Sequence, residues 1–155
     1  QVQTGAQPVE LVRQGAVVPM YADDVATLAA TDATDVVDFG DRQGVLRARI
    51  VPAGMRAVTV EDGTRVAVEE SASALALSFT PGREATELRA ELDLGHRGAG
   101  TMPAPTRVER DGGAALVMAP DARTVTAGCD GCWHYDATAS VLRVSVRGAA
   151  RLSVR

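Results

Sequence analysis

Short apolar runs with a two-residue period, separated at close intervals by turn-forming residues, recur through most of this chain. Leu75, Leu77 and Phe79 alternate with smaller or polar residues, and Pro81 and Gly82 follow directly. Strict alternation places apolar side chains on one face of an extended strand, whereas a helix needs a period near 3.6. Many short strands with frequent turn signals are typical of an antiparallel β-sandwich. The sequence therefore predicts an all-β fold of that type.

The clearest local unit is a hairpin predicted in residues 56–68, with Asp62 and Gly63 at its turn. Its arms carry alternating valines: Val58, Val60, Val66 and Val68. A two-residue loop would divide these valines between the two faces, whereas a three-residue loop with Gly63 left-handed in a bulge keeps them on one. Because burial of one apolar face fixes the register, we predict the three-residue loop.

Residues 86–94 fit two different periods. Alternation predicts a strand, while Ala85, Leu88 and Leu92 have helical spacing and the Glu, Ala, Leu and Arg content favours a helix. We predict a strand, because the alternation covers more residues and the neighbouring segments are strands. Further short runs at residues 107–110, 115–118 and 123–126 and a closing hairpin of residues 141–146 and 152–154 complete the predicted set.

The composition excludes two classes of partner. The net charge is −4, with a sequence pI near 5.1, and no basic face of the kind used for nucleic acids is evident. No apolar run approaches the roughly 20 residues of a membrane-spanning helix. All 16 basic residues are Arg, with no Lys or Asn in the chain, which indicates a GC-rich genome rather than a functional signal.

The two cysteines, Cys129 and Cys132, form a Cys-x-x-Cys pair. In a secreted protein such a pair closes a small disulfide loop, whereas in the cytosol it more often serves redox chemistry or metal binding. His134 lies nearby, but a structural zinc site needs a fourth ligand, and His96 is the only other histidine. We expect a disulfide and no bound metal or other cofactor, with free thiols and a metal site as the alternatives.

Two further groups of residues have a functional and a structural interpretation. Trp133 and Tyr135 would share one face of a strand, where aromatic rings either stack on a sugar or anchor the core. We favour the core. The aspartate-rich residues 23–41 either hold calcium or form a solvated connection with helix-capping aspartates. The spacing does not match a calcium-binding loop, so we favour the connection.

The two ends of the chain carry a family resemblance. Residues 8–20, PVELVRQGAVVPM, are followed by an aspartate pair and by Thr27-Leu28, and residues 133–136 and 141–144 read WHYD and VLRV. In this order the motifs resemble the β-sandwich region that follows the barrel in glycoside hydrolase family 31, the α-glucosidase family. The C-terminal motif is similar to that of actinobacterial members.

The resemblance implies a chain without catalytic residues of its own. The family's catalytic aspartates lie on the (β/α)8 barrel, in a motif like W-x-D-M-N-E that this chain lacks, since it has no Asn and Trp133 is its single Trp. Residues 1–52 would form part of a proximal C-terminal sandwich and residues 53–155 a distal one. The implied role is support of the barrel in a glycosidase that hydrolyses α-glucosidic linkages.

The implied partners are that barrel and an α-glucan or oligosaccharide, and the implied location is secreted or extracytoplasmic in a bacterium. One alternative is an independent carbohydrate-binding or surface-adhesion sandwich. Another is a metal- or redox-linked module using Cys129 and Cys132.

Overall fold

A computed structural model describes residues 12–22, 25–100 and 102–155. The strands in this part of the chain are β1 (Val17–Met20), β2 (Val45–Ile50), β3 (Met55–Thr59), β4 (Arg65–Glu70), β5 (Leu75–Thr80), β6 (Glu87–Asp93), β7 (Val108–Arg110), β8 (Ala114–Ala115), β9 (Val117–Met118), β10 (Cys132–Asp136), β11 (Val141–Arg147) and β12 (Ala150–Val154). One short α-helix, α1 (Ala122–Thr126), and a 3-10 turn (Gly40–Arg42) accompany them. None of the helices described is long and apolar enough to cross a membrane.

The strands form two six-stranded sheets, which confirms the predicted all-β sandwich. The first sheet has the order β1-β2-β6-β11-β10-β9 and the second the order β3-β4-β5-β12-β7-β8. All pairings are antiparallel except β2 with β6 and β9 with β10. The alternating apolar side chains of both sheets form one core, whose largest fully buried members include Ile50, Leu75, Leu77, Leu88, Leu92, Leu142 and Leu152.

Strand β6 confirms the extended prediction for residues 86–94. It lies inside the first sheet, paired in parallel with β2 and antiparallel with β11. Its residues Leu88, Ala90 and Leu92 point into the core, while Arg89 faces away from it. The pairing on both sides satisfies the backbone hydrogen bonds, and this outweighs the helical propensity of its Glu, Ala and Leu residues.

The hairpin of β3 and β4 has the predicted three-residue loop. Val58 lies opposite Val66, and the Val60 amide donates to the Thr64 carbonyl at 2.9 Å, so residues 61–63 form the turn. Gly63 has φ = +89°, a left-handed conformation that suits glycine. Val66 and Val68 are fully buried and Val58 packs against the same core.

The predicted closing hairpin is wrong. Strand β11 lies between β6 and β10 in the first sheet, and β12 lies between β5 and β7 in the second. Leu142 and Val144 therefore reach the core from one side and Leu152 and Val154 from the other. Leu142, Val144, Leu152 and Val154 all occupy even-numbered positions, a pattern that predicts one apolar face of a hairpin. Two strands that face each other across a sandwich satisfy the same pattern equally well.

The predicted strand at residues 123–126 is also wrong, since these residues belong to helix α1. Asp121 caps the helix, with its carboxylate accepting the Thr124 amide hydrogen bond at 2.8 Å. Val125 is buried against Cys132. Arg89 of β6 donates to the Thr126 carbonyl at 2.6 Å and joins the helix to the outer face of the first sheet. Capping and burial thus override the β-branched composition of this run.

The predicted boundary between residues 52 and 53 falls where the chain passes from β2 in the first sheet to β3 in the second. Strand β2, before the boundary, pairs with β6, after it. The assignment of residues 1–52 and 53–155 to a proximal and a distal sandwich stays a prediction. Of the N-terminal motif at residues 8–20, residues 8–11 lie outside the described residues, while Val17–Met20 forms the edge strand β1.

A buried ion pair fixes the loop that follows β6 and ties it to the end of β4. The side chains of Arg97 and Glu70 are 0% and 1% exposed, and Arg97 Nε donates to Glu70 Oε1 at 2.5 Å. Arg97 Nη2 donates to the Ser71 carbonyl at 2.5 Å, and Glu70 Oε2 accepts from the Gly54 amide at 3.1 Å. Burial acts to raise the pKa of Glu70, but the Arg97 and backbone hydrogen bonds outweigh it, and the pKa is lowered.

Candidate functional site

An open groove of about 800 Å³ lies beside the end of β1. Two aromatic side chains, Tyr21 and Phe39, line it and touch each other edge to face, with ring centroids 5.3 Å apart and planes at 77°. They are 57% and 37% exposed. Edge-to-face contact is a favourable arrangement of two rings, so the pair is held together without being covered.

Local hydrogen bonds fix the backbone on either side of Phe39. The Asp38 amide donates to the Asp41 carboxylate at 3.0 Å, and the Asp41 amide donates to the Asp38 carboxylate at 3.1 Å. Asp38 also accepts from the Thr31 amide at 2.8 Å. These backbone donors, Thr31 foremost, lower the pKa of Asp38. The aspartates of this region thus cap and close a connection, and Phe39 is presented from a loop that they fix.

The residues that line the groove also include Asp62, whose carboxylate lies in the turn between β3 and β4. This carboxylate accepts from Thr64 Oγ1 at 2.6 Å and from the backbone amides of Thr64, Ala85 and Glu84 at 2.8, 3.1 and 3.3 Å. It therefore clamps the hairpin turn to the segment between β5 and β6. The Thr64 hydroxyl, followed by the backbone donors, lowers the pKa of Asp62 to about 2 against the opposing effect of burial.

Gly82 completes this clamp because no larger residue fits there. Its amide donates to Thr64 Oγ1 at 3.0 Å, and Thr64 is fully buried. A Cβ atom at position 82 would lie 2.6 Å from the Asp62 carbonyl oxygen, closer than real Cβ contacts. The Pro81-Gly82 pair that the sequence marked as a strand break is thus also the close approach on which the Asp62 clamp depends.

We expect Asp62→Asn to make the protein less stable by about 1–2 kcal/mol at neutral pH, since ionised Asp62 accepts four hydrogen bonds that a neutral amide satisfies less well. The folded-state pKa lies below the ordinary value of 3.8. The stabilisation is therefore complete above about pH 4 and is lost as the pH falls through 2. Urea unfolding of both proteins between pH 7 and pH 2 measures this.

The difference between wild type and Asp62→Asn should shrink steadily below pH 4. A difference that stays constant over this range would contradict the ionised clamp. The exposed Asp111→Asn substitution in the turn between β7 and β8 serves as the matched control, because the Asp111 side chain forms no hydrogen bond or ion pair with any described residue.

Three polar side chains complete the rim of the groove. Gln43, Glu61 and Glu84 are exposed and line it, and within the described parts of the chain their side chains form no hydrogen bond or ion pair. The groove thus offers two aromatic surfaces and unoccupied hydrogen-bonding groups, which suits the binding of a polar organic molecule.

The hydrogen-bond donors around Asp62, which lines the groove, lower its pKa and keep it ionised at neutral pH. Hydrogen-bond donors likewise lower the pKa of four other carboxyls outside the groove, Asp38, Glu70, Asp121 and Asp136, so these groups stay ionised at neutral pH. A glycosidase acid needs a raised pKa. The lowered pKa of these carboxyls instead suits their role as hydrogen-bond acceptors.

The residues that the sequence suggested for sugar stacking lie elsewhere. Trp133 is 4% exposed, and its indole Nε1 donates to the Leu116 carbonyl at 3.3 Å inside the core. Tyr135 is partly buried and packs against the same core. The structure therefore places both rings in the structural role that the sequence analysis favoured, and a buried Trp133 leaves no ring face for a sugar.

The aromatic pair of the groove was missed at the sequence level. Tyr21 and Phe39 stand outside the alternating strands, at the two ends of the acidic connection. The signal that could have drawn attention to them is that both are aromatic residues outside any predicted strand. Nothing in the sequence indicated that these two rings, 18 positions apart, would meet.

The structure joins Cys129 and Cys132 by a disulfide, with their Cα atoms 5.9 Å apart. His134 Nδ1 lies 3.3 Å from the Ala119 carbonyl, and His96 pairs with Asp93 at the surface. In residues 12–22, 25–100 and 102–155 no three His, Cys, Asp or Glu side chains cluster in a way that could hold a metal. Asp23 and Asp24, part of the calcium alternative, lie outside the described residues.

Comparison with known proteins finds similarity at the level of solved structures. No protein-family model matches the chain, and no curated protein does. An uncharacterized protein, lmo2446, of Listeria monocytogenes EGD-e, crystallised with α-D-glucose, β-D-glucose, magnesium and calcium, is 18% identical over 92% of this chain, with a TM-score of 0.64. The cycloalternan-forming enzyme of Listeria monocytogenes, in complex with a pentasaccharide substrate, is 18% identical over 92%, with a TM-score of 0.63.

The chain spans only about 13% of the length of each of these solved chains. At this level of identity the likeness shows the fold alone. The two-sheet arrangement described above is therefore also found as a small part of much larger proteins.

Proposed function

We propose that the chain is a non-catalytic C-terminal β-sandwich region of a glycoside hydrolase related to family 31. In this proposal it supports a catalytic (β/α)8 barrel that hydrolyses α-glucosidic linkages and is carried by another part of a longer polypeptide. The observation that carries the proposal is the match of nearly the whole fold to about 13% of an enzyme that was crystallised with a pentasaccharide substrate. The motifs at residues 8–20 and 133–136 point to the same family.

The chemistry of the described residues agrees with a supporting role. The polar contacts found are structural: Asp62 clamps two loops, Glu70 neutralises Arg97, and Asp121 caps a helix. Each carboxylate is held ionised by its donors. A domain of this kind acts on a reaction by fixing the position of neighbouring polypeptide rather than by exchanging protons with a substrate.

Deletion of residues 1–155 from the longer gene product tests the proposal. We expect the truncated protein to lose most of its hydrolysis of α-glucosides, and the purified 155-residue chain to hydrolyse none by itself. Assays with a chromogenic α-glucoside and with maltose measure both. A gene product without a barrel, or a truncated enzyme as active and as stable as the full polypeptide, would contradict the proposal.

We further propose a secreted or extracytoplasmic bacterial location, in which the Cys129–Cys132 pair is oxidised. Titration of free thiols in denaturant is expected to find none in protein purified from the native compartment. Replacement of both cysteines by Ser should cost about 1–2 kcal/mol, because the loop that the bridge closes is short. Two reactive thiols in the untreated protein would contradict this assignment.

A further inference from the structure

We infer that the groove between the Tyr21–Phe39 pair and the carboxylates of Glu61 and Glu84 binds a neutral oligosaccharide. This goes beyond the support of a barrel, because it gives the domain a ligand of its own. It also assigns sugar binding to aromatic rings other than those of Trp133 and Tyr135, which lie in or against the core.

The distribution of aromatic residues is the first argument. The chain has only five: one Trp, two Tyr and two Phe. Trp133 and Phe79 are buried, and Tyr135 packs against the core. The remaining two meet at the groove and keep 57% and 37% of their surface exposed. Large rings exposed in contact with one another mark a surface that interacts with something, because their burial is normally favourable.

The polar groups of the groove are the second argument. The Glu61 and Glu84 carboxylates accept hydrogen bonds, and the Gln43 amide both donates and accepts, while none has a side-chain partner among the described residues. Sugar hydroxyls both donate and accept, so they can satisfy all three. Arg42 and Arg47 also line the groove, but Arg47 is already paired with Glu91, and Asp62 adds a third carboxylate to the lining. The lining is therefore not cationic and does not attract an anionic ligand, whereas a neutral sugar can use its hydrogen-bonding groups.

The groove is also held in shape before any ligand arrives. Glu61 directly precedes Asp62, and the backbone amide of Glu84 donates to the Asp62 carboxylate at 3.3 Å. One clamp therefore fixes the backbone that carries both free carboxylates. A volume of about 800 Å³ lies within the range of small-molecule sites. Because the backbone is fixed, only the side-chain torsions of Glu61 and Glu84 have to be ordered on binding, which limits the entropic cost.

A polypeptide is the less favourable occupant of this groove. Protein covering the whole surface would remove the Glu61 and Glu84 carboxylates from water, and each would then need a cationic partner. A sugar chain lying along the ring faces leaves the carboxylates partly solvated. The exposure of all three rim side chains agrees with a ligand that covers the groove in part.

Calorimetric titration of the 155-residue protein with maltotetraose, isomaltotetraose and cellotetraose tests the inference. We expect at least one of them to bind with a dissociation constant on the order of 1 mM or lower. The double variant Tyr21→Ala/Phe39→Ala should bind it at least about tenfold more weakly. Because both rings are exposed, the variant should keep the wild-type circular dichroism spectrum and melting temperature within about 3 °C.

Met55→Ala is the matched control. Met55 is 71% exposed on β3 and does not line the groove, so its truncation should leave binding unchanged. Absence of binding to all three sugars at about 10 mM, as expected for a groove that protein covers, would overturn the inference. Equal affinity of the double variant and wild type would overturn it as well. Neither outcome affects the deletion test of the barrel-supporting role, so the two proposals fail separately.

Discussion

Glu70→Ala is expected to lower the free energy of unfolding by about 3–5 kcal/mol, because it leaves the guanidinium of Arg97 buried without its carboxylate. The two side chains are 1% and 0% exposed, and their charged groups are 2.5 Å apart. Arg97 Nη1 already lacks a hydrogen-bond partner among the described residues. Urea unfolding of the purified protein, followed by circular dichroism, measures the change, which corresponds to roughly 10 °C in melting temperature.

The neighbouring residue supplies a matched control. Glu69 forms an ion pair with Arg151 at 2.8 Å, but these side chains are 41% and 48% exposed. Glu69→Ala should therefore cost less than about 1 kcal/mol. The double substitution Glu70→Met/Arg97→Met, which removes both buried charges, should recover most of the loss. Similar effects of Glu69→Ala and Glu70→Ala would contradict the burial of the Glu70–Arg97 pair.

Trp133→Ala is expected to cost about 3–5 kcal/mol, because it removes the largest side chain of the core and leaves a cavity. The indole is 4% exposed, and its Nε1 donates to the Leu116 carbonyl, so that carbonyl also loses a partner. Trp133→Phe keeps most of the apolar volume and should cost clearly less. Denaturant unfolding at neutral pH compares the two variants.

The same substitution separates the two aromatic groups of the chain. Trp133→Ala should lower stability while the folded protein keeps its affinity for oligosaccharide. Tyr21→Ala/Phe39→Ala should weaken oligosaccharide binding while the stability stays close to that of the wild type. A Trp133→Ala protein of wild-type stability that no longer binds sugar would contradict the assignment of Trp133 to the core. It would also restore the sugar-stacking hypothesis for Trp133 and Tyr135.

Local patterns predicted individual strands well and their partners poorly. The alternation of β5 and the loop of the β3–β4 hairpin depend on side chains within a few positions of one another, so the sequence predicts them directly. The relation of β11 to β12 depends on which sheet each strand joins. Parity along the chain cannot distinguish neighbours in one sheet from strands facing each other across the core, and there the prediction failed.

Helix α1 shows a second limit of predicting secondary structure from local sequence patterns. Residues Arg123–Thr126 carry β-branched side chains that favour a strand, but Asp121 caps a single helical turn and Val125 is buried beneath it. The capping aspartate is visible in the sequence. Burial of Val125 against Cys132 is a tertiary contact that the sequence does not show.

The groove could not be predicted from the sequence for a similar reason. Its walls come from the end of β1, the loop around Phe39 and the two turns that Asp62 holds together. These segments lie far apart along the chain and meet only because β1 pairs with β2 and the turns are clamped. The sequence did predict the turn at Asp62 and Gly63, which is one part of the groove lining. It did not predict that this turn would lie near Tyr21 and Phe39.

We propose that a catalytic barrel elsewhere in the polypeptide requires this folded sandwich for its activity. The most direct test measures α-glucosidase activity of the full-length gene product carrying Glu70→Ala, at increasing temperature, together with unfolding of the sandwich. We predict wild-type activity at low temperature, where the sandwich is folded, and loss of activity at the lowered temperature at which it unfolds. Activity that persists unchanged after the sandwich has unfolded would contradict the claim.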